Sequence, residues 1–340
     1  MGKNIVIGTI AAVTAAGAAL VVLPAVGDDG GSGNSARTAA GSGAQGHAGH
    51  GGGAAGESRI GALGGTNKSG AVFFAGSLNG ANEVPAPGGP AVGDKDGAAL
   101  ALMRVQGDEV SFAFKFRGID TPTLAHIHQG VKGVNGAIKI PLITEKLKDG
   151  SDRVTGTVKV KDAALLQQLK DNPGGFYFNL HTGEFPGGAV RGQVHKLDSA
   201  LDLRHPFRSF QASVRQGQQI YKCTRQQDGS YAFTQHNVRA RLDGNIAHFF
   251  VKPQAGPPAW LAPDLSAVTG KLTQRIDNGP KNIPELHLAA TQVGRGSGKL
   301  SATNEILRLN TVGGVAPAGS CKPGAKAAVD YRADYVFVGR

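Results

Sequence analysis

Hydrophobic and polar residues divide the chain into four regimes. Ile5 to Val26 is a 22-residue run without a charge, preceded by Lys3 and followed by Asp28 and Asp29. Residues 28–70 are Gly, Ala or Ser at 28 of 43 positions and hold almost no large apolar side chain. From residue 71 the apolar residues gather in short runs separated by Gly, Pro and Asp, which predict strands at Val72–Leu78, Ala98–Val105, Glu109–Phe116, Ala125–His128, Ala137–Pro141, Arg153–Val160, Phe176–His181 and Ala189–His195. Ser111–Phe116 alternates with a period of two, as a half-buried strand does. One helix is predicted over Ala163–Lys170, with Asp162 as its N-cap, leucines at 165, 166 and 169, and a stop at Asn172-Pro173-Gly174.

Beyond a stretch without clear period, Leu197 to Ser213, strands are predicted again at Gln219–Cys223, Ser230–Phe233, Arg239–Leu242, Ile246–Val251, Glu305–Asn310 and Ala327–Val338. Asp228-Gly229, Asp243-Gly244 and Asn278-Gly279 mark turns between them. Strands at roughly 8–12-residue spacing with little helix indicate sandwiches or barrels. The expected fold is therefore all-β, with two sandwich- or barrel-like domains at 71–197 and 215–340, joined by a linker at 198–214.

Composition sharpens this division. Glycine supplies 52 of 340 residues, about twice the ~7% average, and 15 of them fall in residues 28–70 without a triplet period. That excludes collagen and makes 28–70 a disordered tether, because it cannot bury enough surface to offset its ordering entropy. The charge of +11 is uneven, since 205–340 holds 17 basic and 8 acidic residues. A basic half suits anionic polymers, but no run of consecutive Lys or Arg and no nucleic-acid-binding signature occurs, so nucleic acid is not expected. Residues 1–27 read as an export segment: Ala25-Val26-Gly27 offers small residues where a signal peptidase cuts, and the flanking charges place the remainder outside the cytoplasm. The segment is a cleaved signal peptide or, left uncleaved, the protein's one membrane anchor.

Three stretches of the first region carry chemistry. Ala125-His126-Ile127-His128-Gln129-Gly130 puts two imidazoles on one strand face. Asn179-Leu180-His181-Thr182 ends another strand, and Phe185-Pro186-Gly187-Gly188-Ala189-Val190-Arg191-Gly192-Gln193-Val194 is a Gly-Gly turn feeding a strand that carries an arginine. Together with Leu78-Asn79-Gly80-Ala81-Asn82-Glu83-Val84-Pro85, they resemble the CHRD domain of secreted proteins over about 71–197. The resemblance implies a small β-sandwich of immunoglobulin-like or superoxide-dismutase-like type without a settled activity.

The same residues are similar in order and local context to copper/zinc superoxide dismutase. That resemblance implies copper held by His126, His128 and His181, with Arg191 as an anion-attracting charge. It departs where no histidine occurs between 129 and 180, so a second, zinc site has no ligands. The alternatives are that the histidines hold loops through hydrogen bonds and that Arg191 pairs with a surface acid such as Glu184. His195, further along the same strand, is peripheral to the set.

In the second region, Tyr221-Lys222-Cys223, Gly256-Pro257-Pro258-Ala259-Trp260, Leu309–Pro317 with Cys321, and Tyr331–Phe337 are similar to the domain of unknown function 3455. The resemblance covers roughly 215–338 and implies no chemistry. It departs at Leu265, where that family tends to have glycine. In an exported chain Cys223 and Cys321 read as one disulfide. Trp260, the single tryptophan, is either a core anchor or a stacking platform for sugar, and His248 is a buried, hydrogen-bonded histidine.

The sequence identifies modules without establishing a reaction. The leading expectation is a secreted or cell-surface, non-catalytic binding or envelope protein with an extracellular ligand. One alternative is a copper-binding, redox-active module and copper-dependent oxidoreductase. The other is a carbohydrate or polyanion binder acting through the basic C-terminal region.

Overall fold

A computed structural model describes residues 55–61, 63 and 65–340. The export segment and most of the glycine-rich stretch lie outside the described residues. The first sheet contains β1 (Ala55–Ile60), β2 (Val72–Asn79), β3 (Ala98–Gln106), β4 (Glu109–Arg117), β5 (Leu124–Gln129), β6 (Ile138–Ile143), β7 (Arg153–Val160), β8 (Phe176–His181), β9 (Val190–Gln193) and β10 (His195–Lys196). Its order is β1-β7-β4-β3-β2-β9-β8-β5-β6, with β10 also paired to β2. The sheet folds over on itself at β2, which pairs along its whole length with β3 but meets β9 only at Asn79 and Arg191. Phe74, Phe112, Phe114, Ile127, Phe178 and Leu180 fill the space between its halves. Helix α1 (Ala163–Asp171) starts where Asp162 accepts a hydrogen bond from the Leu165 amide, and it buries Leu166 and Leu169.

The second sheet is a closed eight-stranded antiparallel barrel. Its strands are β11 (Phe210–Arg225), β12 (Tyr231–Leu242), β13 (Ala247–Phe250), β14 (Pro258–Leu261), β15 (Ala267–Ile276), β16 (Glu285–Gln292), β17 (Thr303–Gly313) and β18 (Lys326–Gly339). Closure leaves no unpaired edge. Strands β14 and β15 escaped the hydropathy reading because β14 begins at a proline and residues 271–275 of β15 are a continuous exposed, mostly polar run. Cys223 and Cys321 are disulfide-bonded. Leu265 has φ +69 and is exposed, a left-handed conformation in which glycine is free of the Cβ clash.

Three expectations need revision. Part of the stretch read as a disordered tether is ordered: Ser58, Arg59 and Ile60 pair with Val158, Thr157 and Gly156. Arg104 then takes the Gly65 carbonyl at 2.7 Å and the Asn67 side chain at 3.1 Å. Composition weighs what a segment can bury itself and misses a buried arginine elsewhere that needs its carbonyls. Strand β11 begins at Phe210, inside the stretch read as a linker, and Leu197, Leu201 and Leu203 of that stretch are buried. Strand β4 is not half-buried, because Ser111 and Ala113 are inaccessible.

The last two corrections share one cause. Phe73, Ala75, Leu100, Leu102 and Ala113 on the outer face of the sandwich pack against Leu307, Leu309, Val336 and Val338 on the outside of the barrel, with the three leucines between them. At the centre of this contact the Asp334 carboxylate accepts hydrogen bonds from Ser77, Asn79, Asn310 and Ser213 at 2.6–3.0 Å. Asn82 reaches Asn310 at 3.0 Å. Several of the motif residues quoted above thus join the two sheets.

Candidate metal centre

Antiparallel pairing of β5 with β8 places Leu124 opposite His181, His126 opposite Asn179 and His128 opposite Tyr177. Opposed residues share a face, so the two-residue spacing on each strand brings His126, His128, His181, Asn179 and Tyr177 to one side of the sheet. The three histidines are 3%, 8% and 6% exposed. One nitrogen from each forms a group whose members all lie within 4.8 Å of one another.

The hydrogen bonds orient the rings. His128 Nδ1 lies 2.9 Å from the Gly136 carbonyl, and His181 Nδ1 lies 3.0 Å from the Pro186 carbonyl. A carbonyl only accepts, so each Nδ1 carries the proton and each neutral ring keeps its lone pair on Nε2. His126 Nδ1 faces His181 Nε2 at 3.2 Å. The Gly136 amide in turn donates to the Tyr177 hydroxyl at 3.1 Å, which fixes the loop that orients His128.

This donor set fits a transition-metal ion. Imidazole nitrogens bind at about 2.0–2.1 Å, and two of them on one tetrahedral ion sit roughly 3.3 Å apart. The His126–His181 separation already matches that spacing, and the His128 nitrogen lies within 4.8 Å of both. Buried imidazoles held by carbonyls on the opposite nitrogen are the usual outer support of metal-bound histidine. Among the described residues no cysteine, aspartate or glutamate joins the group. The chemistry is therefore that of three nitrogens, which suits copper, zinc or nickel.

Arg191 does not act as expected. Its guanidinium sits 3.5 Å over the Tyr177 ring and donates to Asn135 Oδ1, the Val131 carbonyl and the Val134 carbonyl at 3.0, 3.2 and 2.7 Å. Tyr177 stacks on His128 with ring centres 4.8 Å apart. Arg191 thus clamps the loop at 131–135, and neither the anion-attracting role nor a pairing with Glu184 describes its contacts. Its carboxylate neighbour is Glu83, whose pKa burial pushes up to about 8 against the opposing pull of Arg191 and Asn179. Sequence reasoning passed over Tyr177, Asn179 and Glu83 as site neighbours. Counting back by twos from His181 finds the first two, whereas Glu83 arrives from the turn after β2 and leaves no local signal.

The remaining candidates lie elsewhere. His195 is buried 3.9 Å from Glu285, with its ring 5.6 Å from that of His287. Burial pushes both imidazoles down to about 4. His248 donates Nδ1–H to the Ala259 carbonyl at 2.9 Å and stacks on Trp260. Trp260 is 1% exposed inside the barrel, a core position. Arg215, Arg239, Arg241 and Arg332 line one outer hollow of the barrel, where Arg215 is paired with Asp243.

Comparison with protein families finds the CHRD domain over residues 74–194 and the family described as "Protein of unknown function (DUF3455)" over residues 240–339. No curated protein and no solved structure matches the chain.

Proposed function

From a chain that joins a CHRD domain to a DUF3455 domain, we propose an exported binding protein whose sandwich holds one divalent transition-metal ion, copper(II) in preference to zinc. The observation that carries this reading is the convergence of three buried histidine nitrogens from β5 and β8, two of them with the opposite ring nitrogen on a carbonyl. His126 Nδ1, His128 Nε2 and His181 Nε2 are the donors. Copper(II) stands above zinc in the affinity order of divalent metals. The Cys223–Cys321 disulfide agrees with an oxidising compartment. Among the described residues no helix is long and apolar enough to cross a membrane.

The chain's own residues bind and orient. Gly136 and Pro186 hold the imidazoles in one tautomer, Tyr177 packs the His128 ring, and burial keeps bulk water from competing. Affinity falls at acid pH, because each ligand must be neutral to bind.

Copper titration of the wild type beside His126→Ala and His181→Ala tests the reading, with electron paramagnetic resonance reporting nitrogen coordination. One copper per chain is expected in the wild type, with a loss of about a hundredfold in each variant. Equal binding by all three proteins, or a copper signal without nitrogen ligands, would make these histidines loop-holding residues.

A further inference from the structure

The barrel interior is a second site of a different kind. Apolar side chains fill part of it and leave a cavity of about 420 Å³, within the size range of small-molecule pockets. Inward alternation on β13, β14, β16, β17 and β18 places His248, Trp260, Leu288, Arg308 and Tyr335 on its wall. Exposed Leu272 and Val315 frame the mouth.

The unanswered polar groups of this wall are all donors. Arg308 donates to the Pro284 carbonyl at 2.8 Å, but its Nε is buried without an acceptor. Trp260 Nε1 and Gln219 Nε2 are also buried donors without acceptors. Among the described residues no aspartate or glutamate lines the cavity and no carboxylate forms an ion pair with Arg308. Burial pushes His248 down to about 3 and holds the Tyr335 phenol above its ordinary value, so both stay neutral and leave the guanidinium charge unbalanced. A buried donor without a partner is destabilising, and more so when charged. An apolar, aromatic hollow with Arg308 on its wall, the exposed Arg275 at its rim and several unanswered N–H groups is complementary to an acceptor-rich anion with an apolar body.

We propose that the barrel binds a small organic anion, with a carboxylate or sulfonate head at Arg308 and an aromatic or short aliphatic body against Trp260, Leu288 and Tyr335. The site is independent of the histidine cluster and stands or falls without it.

The test uses the full chain with two fluorescent probes of similar shape: 1-anilinonaphthalene-8-sulfonate, an anion, and N-phenyl-1-naphthylamine, which is uncharged. Trp260 is the single tryptophan, so energy transfer from it reports a probe bound at or near the barrel, and the Arg308 variants assign the site. One saturable site per chain with such transfer is expected. Arg308→Gln should weaken the anionic probe by about tenfold or more while changing the neutral probe by no more than about twofold, because an ionic hydrogen bond is worth ~1.5–3 kcal/mol. Arg308→Lys should restore part of the loss. The proposal is overturned if the sulfonate shows no transfer from Trp260, if Arg308→Gln leaves its affinity unchanged, or if both probes weaken equally.

Discussion

Replacing Asp334 by alanine should loosen the joint between sandwich and barrel. Its carboxylate is 7% exposed and accepts from Ser77 Oγ and Asn79 Nδ2 of the sandwich at 3.0 Å each. From the barrel it accepts from Asn310 Nδ2 at 2.8 Å and Ser213 Oγ at 2.6 Å. Removing it leaves four donors facing a small void. The two serine hydroxyls can rotate to other acceptors, but the two amides are held by further bonds: Asn310 Nδ2 also donates to the Ser77 carbonyl, and Asn79 Oδ1 caps the turn at Asn82. At about 1–3 kcal/mol for each stranded buried donor, the loss is roughly 3–5 kcal/mol. For a cooperative unit of this size that corresponds to a fall in melting temperature of about 10 °C. Asp334→Asn, which keeps one acceptor but adds a donor facing donors, should lose almost as much. Calorimetry is the assay. The wild type should unfold in one transition and Asp334→Ala in a lower, broader or split one. A loss below about 1 kcal/mol, or separate transitions already present in the wild type, would show that the carboxylate does not couple the two sheets.

Stability should pass through a maximum in mildly acid solution. His195 and His287 are held near 4 by burial, below their ordinary 6.5, so the unfolded chain alone takes up protons between those values and stability falls as pH drops through that window. Glu83 is raised by burial from 4.5 to about 8, so the folded protein holds a proton the unfolded chain releases, and stability falls as pH rises through that range. Denaturant midpoints across this span should show His287→Gln flattening the acid limb and Glu83→Gln the alkaline one, and a midpoint independent of pH in the wild type would contradict both assignments. Gly136→Ala should weaken copper binding about tenfold without touching a ligand: a Cβ there would lie 1.6 Å from the Gln129 carbonyl, so the backbone must shift and carry away the oxygen that orients His128. Unchanged affinity in this variant would mean that the Gly136 carbonyl does not set the ring.

Local pattern determined much of the protein by itself. Short apolar runs and the turn residues between them located β2 to β8 almost to the residue, and Asp162 with Asn172-Pro173 bounded α1, because those signals act over a few neighbouring positions. The His-x-His spacing likewise put two imidazoles on one face before any partner strand was known. Only the tertiary structure decided what met them. The pairing of β5 with β8 brought His181 to the same face, and the loops returning at Gly136 and Pro186 supplied the carbonyls that set the tautomers of His128 and His181. It also turned Arg191 from a candidate anion site into a clamp on the loop at 131–135. Ala113 lost its solvent face because the barrel packs there, Ser111 because the buried Arg104 lies over it, and Asp334 became the joint because four donors far apart in sequence converge on it. Strand periodicity is a property of adjacent residues, whereas burial and hydrogen-bond partners depend on which surfaces the folded chain brings together.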